Sequence, residues 1–120
     1  MSDLQPKGVP VTFLDGVERH FLFTLAAVDD VQDHYGEAVG KVMTRISDEM
    51  EGYGVLAYLA MVLANDEIRR STGKTDDDYL TEQQVKEMID VPLAGKVLRA
   101  IFKSFGHALP ESDDDDDESE

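Results

Sequence analysis

Three histidines, His20, His34 and His107, and 26 acidic residues are the side chains in this 120-residue chain that could move a proton or hold a metal. Their spacing decides whether they do. No two histidines are spaced to share a helix face, and no acid–base or metal-ligand signature surrounds any of them. Each reads as an ordinary surface or half-buried histidine. Asp76, Asp77 and Asp78 have the charge density with which a calcium loop begins. The glycine and closing glutamate of such a loop are not found together at the required offsets, so the run reads as a solvated loop. There is no glycine-rich phosphate cradle and no elbow around a nucleophilic serine. Cysteine is absent, which removes thiolate nucleophiles, disulfides and cysteine-held zinc or iron–sulfur sites. The sequence therefore selects no catalytic, cofactor-binding or metal-ligating residue, and the expected activity is binding.

Charge narrows the class of partner. The net charge is −15 and the pI about 4.3. Glu111 to Glu120 hold eight acids and no base, which leaves −7 on residues 1–110. A polyanion is repelled by nucleic-acid phosphates, so direct nucleic-acid binding is not expected. The longest apolar run, Val55 to Ala64, is shorter than the roughly 20 residues a bilayer span needs, and no membrane association is expected. Met1 to Pro10 has no apolar stretch suited to a signal peptide. A cytoplasmic setting fits both these features and the lack of cysteine.

The elements that would carry a binding surface follow from hydrophobic spacing. Val9, Val11 and Phe13 alternate with polar positions, and Val17, Phe21 and Phe23 recur at even spacing after Asp15-Gly16, which predicts a hairpin over residues 9–23. A two-residue Asp-Gly loop would set Val11 and Phe13 on the face opposite Phe21 and Phe23. A three-residue Leu14-Asp15-Gly16 loop with a left-handed Gly16 pairs Phe13 with Val17 and gathers Val11, Phe13, Val17 and Phe21 on one face. That register is preferred. Thr24 caps a helix from Leu25 to Tyr35 that stops at Gly36, with Leu25, Val28, Val31 and Tyr35 as its apolar side. Val39, Val42, Met43, Ile46 and Met50 give a second amphipathic helix, ended where Gly52 and Gly54 loosen the chain. Tyr53 to Arg70 is the central helix, apolar almost all round in its first three turns. Ser71 to Tyr79 is a polar loop. Thr81 and Gln84 form a capping box that starts the next helix. Pro92 begins another or kinks it, and Leu93, Val97, Leu98, Ile101, Phe102 and Phe105 form a broad stripe ending at Gly106. The expectation is a mainly α fold: one domain over residues 1–110, about five helices with an N-terminal β-hairpin, and a disordered acidic tail over 111–120.

Two features point to binding. The central helix carries more apolar side chains than one stripe needs, and a small domain has few elements with which to cover them. Tyr53, Leu56, Tyr58, Leu59, Met61 and Leu63 are the candidate partner-binding residues, and an uncovered side would serve a partner or self-association. Burial in the core is the competing reading. Separately, Lys96, Arg99 and Lys103 line the polar face of the last helix, where the acidic tail could fold back and screen them.

The stretch Val11 to Gly36, VTFLDGVERHFLFTLAAVDDVQDHYG, resembles the N-terminal signature of tail assembly chaperones of long-tailed (siphovirus-type) bacteriophages. Phe13, Asp15, Gly16, Phe21, Phe23, Leu25 and Tyr35-Gly36 carry the resemblance. It implies a non-enzymatic factor without cofactor, made in the host cytoplasm and absent from the mature virion. Such a factor binds the tape measure protein, with the tail tube protein as a second partner, and keeps that long helical chain soluble while the tube polymerises. The alternative from another class is an acidic DNA mimic that blocks a nucleic-acid-binding protein. It would need carboxylates ordered along a folded face, whereas the densest acids here lie in the tail.

Overall fold

The structure, a computed structural model, describes residues 8–71 and 73–108. The acidic stretch 111–120 and the segment before Gly8 lie outside the described residues. Among those described, the chain is mainly helical. It has one two-stranded antiparallel hairpin, β1 (Val9–Thr12) and β2 (Glu18–Phe21), and five α-helices. These are α1 (Leu25–Tyr35), α2 (Val39–Arg45), α3 (Gly52–Arg70), α4 (Glu82–Met88) and α5 (Val91–Ala108), with a 3-10 turn at Asp76–Asp78.

The hairpin ladder pairs Val9 with Phe21, Pro10 with His20, Val11 with Arg19 and Thr12 with Glu18. Its continuation sets Phe13 opposite Val17 across the three-residue loop. Gly16 has φ +80° and its amide donates to the Phe13 carbonyl at 3.0 Å, a backbone that a residue with Cβ adopts only under strain. Val9, Val11, Phe13 and Phe21 are buried as that register requires. Val17, expected among them, is half exposed because it sits at the loop end of the ladder. Arg19 occupies the place across from Val11, its guanidinium 4.6 Å from the Phe13 ring centroid and 2.8 Å from Asp15 Oδ2.

Thr24 caps α1 by accepting from the Ala27 amide, and the left-handed Gly36 ends it. The helix buries Ala27 and Val31, one turn apart, against α3. Leu25, expected on the apolar side, is 86% exposed because it stands more than a quarter turn away from that pair. The second helix is shorter than its spacing suggested. It ends at Arg45, and Met50 is 90% exposed. Asp48 explains the break: its carboxylate accepts from the Met50 and Glu51 amides at 2.8 Å each, turning the chain into α3. Gly52 and Gly54 do not loosen the chain. Both lie in α3, and a Cβ on Gly52 would come within 2.4 Å of the Ile46 carbonyl oxygen.

The central helix packs on β2 and on each of the other four helices, which buries Leu59, Ala60 and Leu63 in its middle turns and leaves Tyr58 and Met61 half-buried. Thr81 and Gln84 make the reciprocal capping box at the start of α4. Pro92 lies in the first turn of α5, where Asp90 accepts from the Leu93 amide at 2.9 Å. The last helix runs past Gly106 to Ala108 and covers β1 and α3. Its Phe105 meets Phe23 edge to face, with centroids 5.5 Å apart. The tip of the hairpin is tied down where the Leu14 amide donates to the Met88 carbonyl at 2.9 Å.

Candidate partner-binding site

Among the described residues, several of the titratable side chains make contacts that hold the fold. His20 is clasped between two carboxylates. Its Nδ1 lies 2.8 Å from Glu67 Oε2, its Nε2 lies 3.1 Å from Glu18 Oε2, and its amide donates to Glu67 Oε1, which ties β2 to α3. His34 stacks on Tyr58, with centroids 4.0 Å apart. The side chain of His107 lies outside the described residues. In the aspartate run, Asp78 accepts from the Thr75 amide at 2.9 Å while the Asp78 amide donates to the Thr75 carbonyl, so that carboxylate caps its own turn. Among the described residues, no three His, Cys, Asp or Glu side chains are grouped to hold a metal ion.

Asp66 is the one buried carboxylate among the described residues. It accepts from Thr24 Oγ1 at 2.9 Å and from Arg70 Nε at 3.1 Å, and it also receives the Arg69 guanidinium. Since the Thr24 hydroxyl also caps α1, the cluster locks the start of α1 to the end of α3. It is a buried charge with its partners in place, which is a structural arrangement.

The six candidate residues of the central helix divide into three groups. Leu56, Leu59 and Leu63 are buried, the last two completely. They hold the fold together, and Leu59 and Leu63 have no surface to offer. Tyr58 and Met61 are half-buried on a polar rim with Asp30, Asp33, Asn65, Arg69 and Tyr79. Burial, reinforced by the Asp30 charge, pushes the Tyr58 phenol up to about 12. Tyr53 alone is well exposed, at 60%.

Tyr53 stands between two grooves. One, of about 220 Å³, lies between α3 and the α4–α5 junction and is lined mainly by apolar side chains: Tyr53, Leu56, Ala57, Ile89, Val91 and Ala94, with Lys86 and Asp90 at its edge. The other, of about 350 Å³, runs from Ile46 and the Asp48-Glu49 turn across Gly52 and Leu56 to Leu98 of α5. Val91, on the far lip of the first groove, is 70% exposed, and Phe102 farther along α5 is 41% exposed. Large exposed apolar side chains scattered singly need no explanation, whereas several bordering connected grooves form a surface that water solvates poorly.

Reading the sequence missed Val91, Ile89 and Phe102 as surface residues. The signal was available in α5, whose apolar stripe is wider than one buried face requires. The basic residues Lys96, Arg99 and Lys103 are exposed, as expected of a polar face. No described helix is long and apolar enough to cross a membrane. Comparison with protein-family models, with curated proteins and with solved structures gives no match.

Proposed function

We propose that this chain is a tail assembly chaperone of a long-tailed bacteriophage. It binds an amphipathic helical segment of the tape measure protein on the surface around Tyr53 and keeps that protein soluble while the tail tube forms. It acts in the host cytoplasm by holding its partner, catalyses nothing, uses no cofactor and stays out of the finished virion. The tail tube protein is the second contact the reading allows. The observation that carries the proposal is the apolar groove edged by Val91, joined at Tyr53 to a second groove with an acidic edge. A helix laid across such grooves seats side chains at i, i+3 or i+4 and i+7 in successive depressions, the usual mode by which an amphipathic helix docks. The net charge of −15 suits a factor that must keep apolar complexes apart in solution. The resemblance over Val11 to Gly36 supplies the partner's identity.

The test is co-expression with the long helix-rich protein encoded just downstream, read as the soluble fraction of that protein and its co-purification with this chain. Soluble co-purification is expected, and is expected to be lost with Tyr53→Asp or Val91→Asp, both on exposed positions. Failure of the native chain to solubilise or retain the partner refutes the reading.

A further inference from the structure

One edge of α5 repeats in a pattern its own fold only partly uses: Val91 and Phe102 are exposed, while Leu98 is half-buried against the core. Val91, Gly95, Leu98 and Phe102 are spaced by four, three and four residues, the spacing of a coiled-coil seam. They sit beside the buried face formed by Ala94, Val97, Ala100, Ile101 and Ser104 rather than within it.

The charges on the two sides of this seam are opposite. On one side Leu98 borders the groove that leads to Asp48 and Glu49, with Glu51 two residues farther on, and these three acids are exposed. On the other side are Lys96, Arg99 and Lys103, and the Arg99 guanidinium folds back along the seam to within 3.8 Å of where a Gly95 Cβ would be. Among the described residues none of these three bases is within ion-pair distance of a carboxylate, as is also true of the exposed Lys41 and Lys74, whereas Arg19, Arg45, Arg69, Arg70 and Lys86 are paired.

We infer that this seam is the interface with a second copy of the chain, in a closed two-fold dimer with the two α5 helices parallel. A two-fold axis along the seam lays each apolar residue on its own counterpart. It also exchanges left for right, so the acidic turn of each copy meets the basic row of the other. An axis across the seam would set acid against acid and base against base, so the charge pattern selects the parallel arrangement. The inference needs no other protein, but it shares Val91 and the Leu98 groove with the chaperone reading, so on both readings together the dimer and the partner-bound chain are alternative states of one surface.

Sedimentation equilibrium on the full chain over a concentration series tests it, alongside two charge-reversed variants, Glu49→Lys/Glu51→Lys and Lys96→Glu/Lys103→Glu. The native chain is expected to show a monomer–dimer equilibrium with no larger species. Each variant alone opposes like charges at both symmetric contacts and is expected to weaken dimerisation at least tenfold. An equal mixture of the two restores both contacts and is expected to dimerise again. Phe102→Asp, at an exposed position, is expected to give a single chain with an unchanged circular dichroism spectrum. A native chain that stays single throughout overturns the inference, as does growth into open assemblies. A dimer indifferent to both reversals overturns it as well, since the interface would then lie elsewhere.

Discussion

Leu59 and Tyr53 lie on one helix and both belong to its apolar set, yet their replacement by alanine should have opposite consequences. Leu59 has no exposed surface and sits in the core where α3 meets its neighbours, so Leu59→Ala removes apolar contact and leaves a cavity that the packed helices only partly close. A loss of about 3 kcal/mol is expected, near the middle of the range for buried leucines. That is a large share of the roughly 5–15 kcal/mol by which a domain of this size is stable. It raises the unfolded fraction about a hundredfold. Tyr53 is 60% exposed, and Tyr53→Ala should change stability by no more than about 0.5 kcal/mol. If it anchors a partner helix, the same change should weaken binding by about 2 kcal/mol, close to thirtyfold. Urea denaturation followed by circular dichroism measures the first quantity, with an unchanged slope as the sign that the denatured state is the same. Retention of the proposed partner, a tape measure segment, on immobilised chain measures the second. Equal destabilisation by the two substitutions would place Tyr53 in the core. Tyr53→Ala binding as tightly as the native chain would remove the lip of the grooves from the interface.

Other perturbations follow from the geometry. Gly52→Ala should destabilise strongly because its Cβ would lie 2.4 Å from a backbone oxygen, while Gly54→Ala, with nothing within 4 Å, should stabilise α3 by up to about 1 kcal/mol; thermal melts of the pair distinguish close approach from flexibility. Asp66→Ala leaves the Thr24 hydroxyl, Arg69 and Arg70 without their shared acceptor and should cost about 3 kcal/mol in urea titration, the low end for a broken buried pair because both guanidinium groups still reach water. Arg69→Ala should cost less than about 1 kcal/mol in the same titration. The Tyr58 phenol ionises near 10.0 when unfolded and at about 12 when folded, so its neutral form contributes stability that is fully present below pH 10 and is lost as pH rises toward 12. Denaturation midpoints across that window should fall, and Tyr58→Phe should flatten the fall.

Why the fold was legible and the surface was not can be argued from particular residues. Thr24, Gly36, Thr81 with Gln84, and Gly16 each satisfy a local backbone requirement, and local requirements are written in adjacent residues. The bounds of α1 and the register of the hairpin followed from them. Leu25, Val17 and Met50 were misplaced because periodicity marks a side chain as apolar without saying whether it is buried: the side α1 buries is settled by neighbours distant in the chain, Val17 stands at the loop end of its ladder, and Met50 lies past a turn. Met50 shows the limit most clearly. Its spacing continues the stripe of α2, yet Asp48 takes up the Met50 and Glu51 amides and ends that stripe before Met50 is reached.

The same limit governs the candidate site. An all-apolar helix can be central or uncovered, and α3 is both along its length: closed over Leu59 and Leu63 by the helices around it, open at Tyr53 where the α2–α3 turn and the α4–α5 junction do not meet. The excess apolar surface that the sequence assigned to α3 is therefore mostly spent on the core, and the surplus that reaches solvent is Tyr53 at its start together with the outer edge of α5. There the signal was a stripe too wide for one face, with Leu93, Val97 and Ile101 on the inner part and Val91, Leu98 and Phe102 on the outer edge. Two surfaces on one short helix, one for the core and one for a neighbour, produce that width. The basic row beside it acquires meaning only in three dimensions, because its acidic counterpart comes from a turn more than 40 residues earlier in the chain.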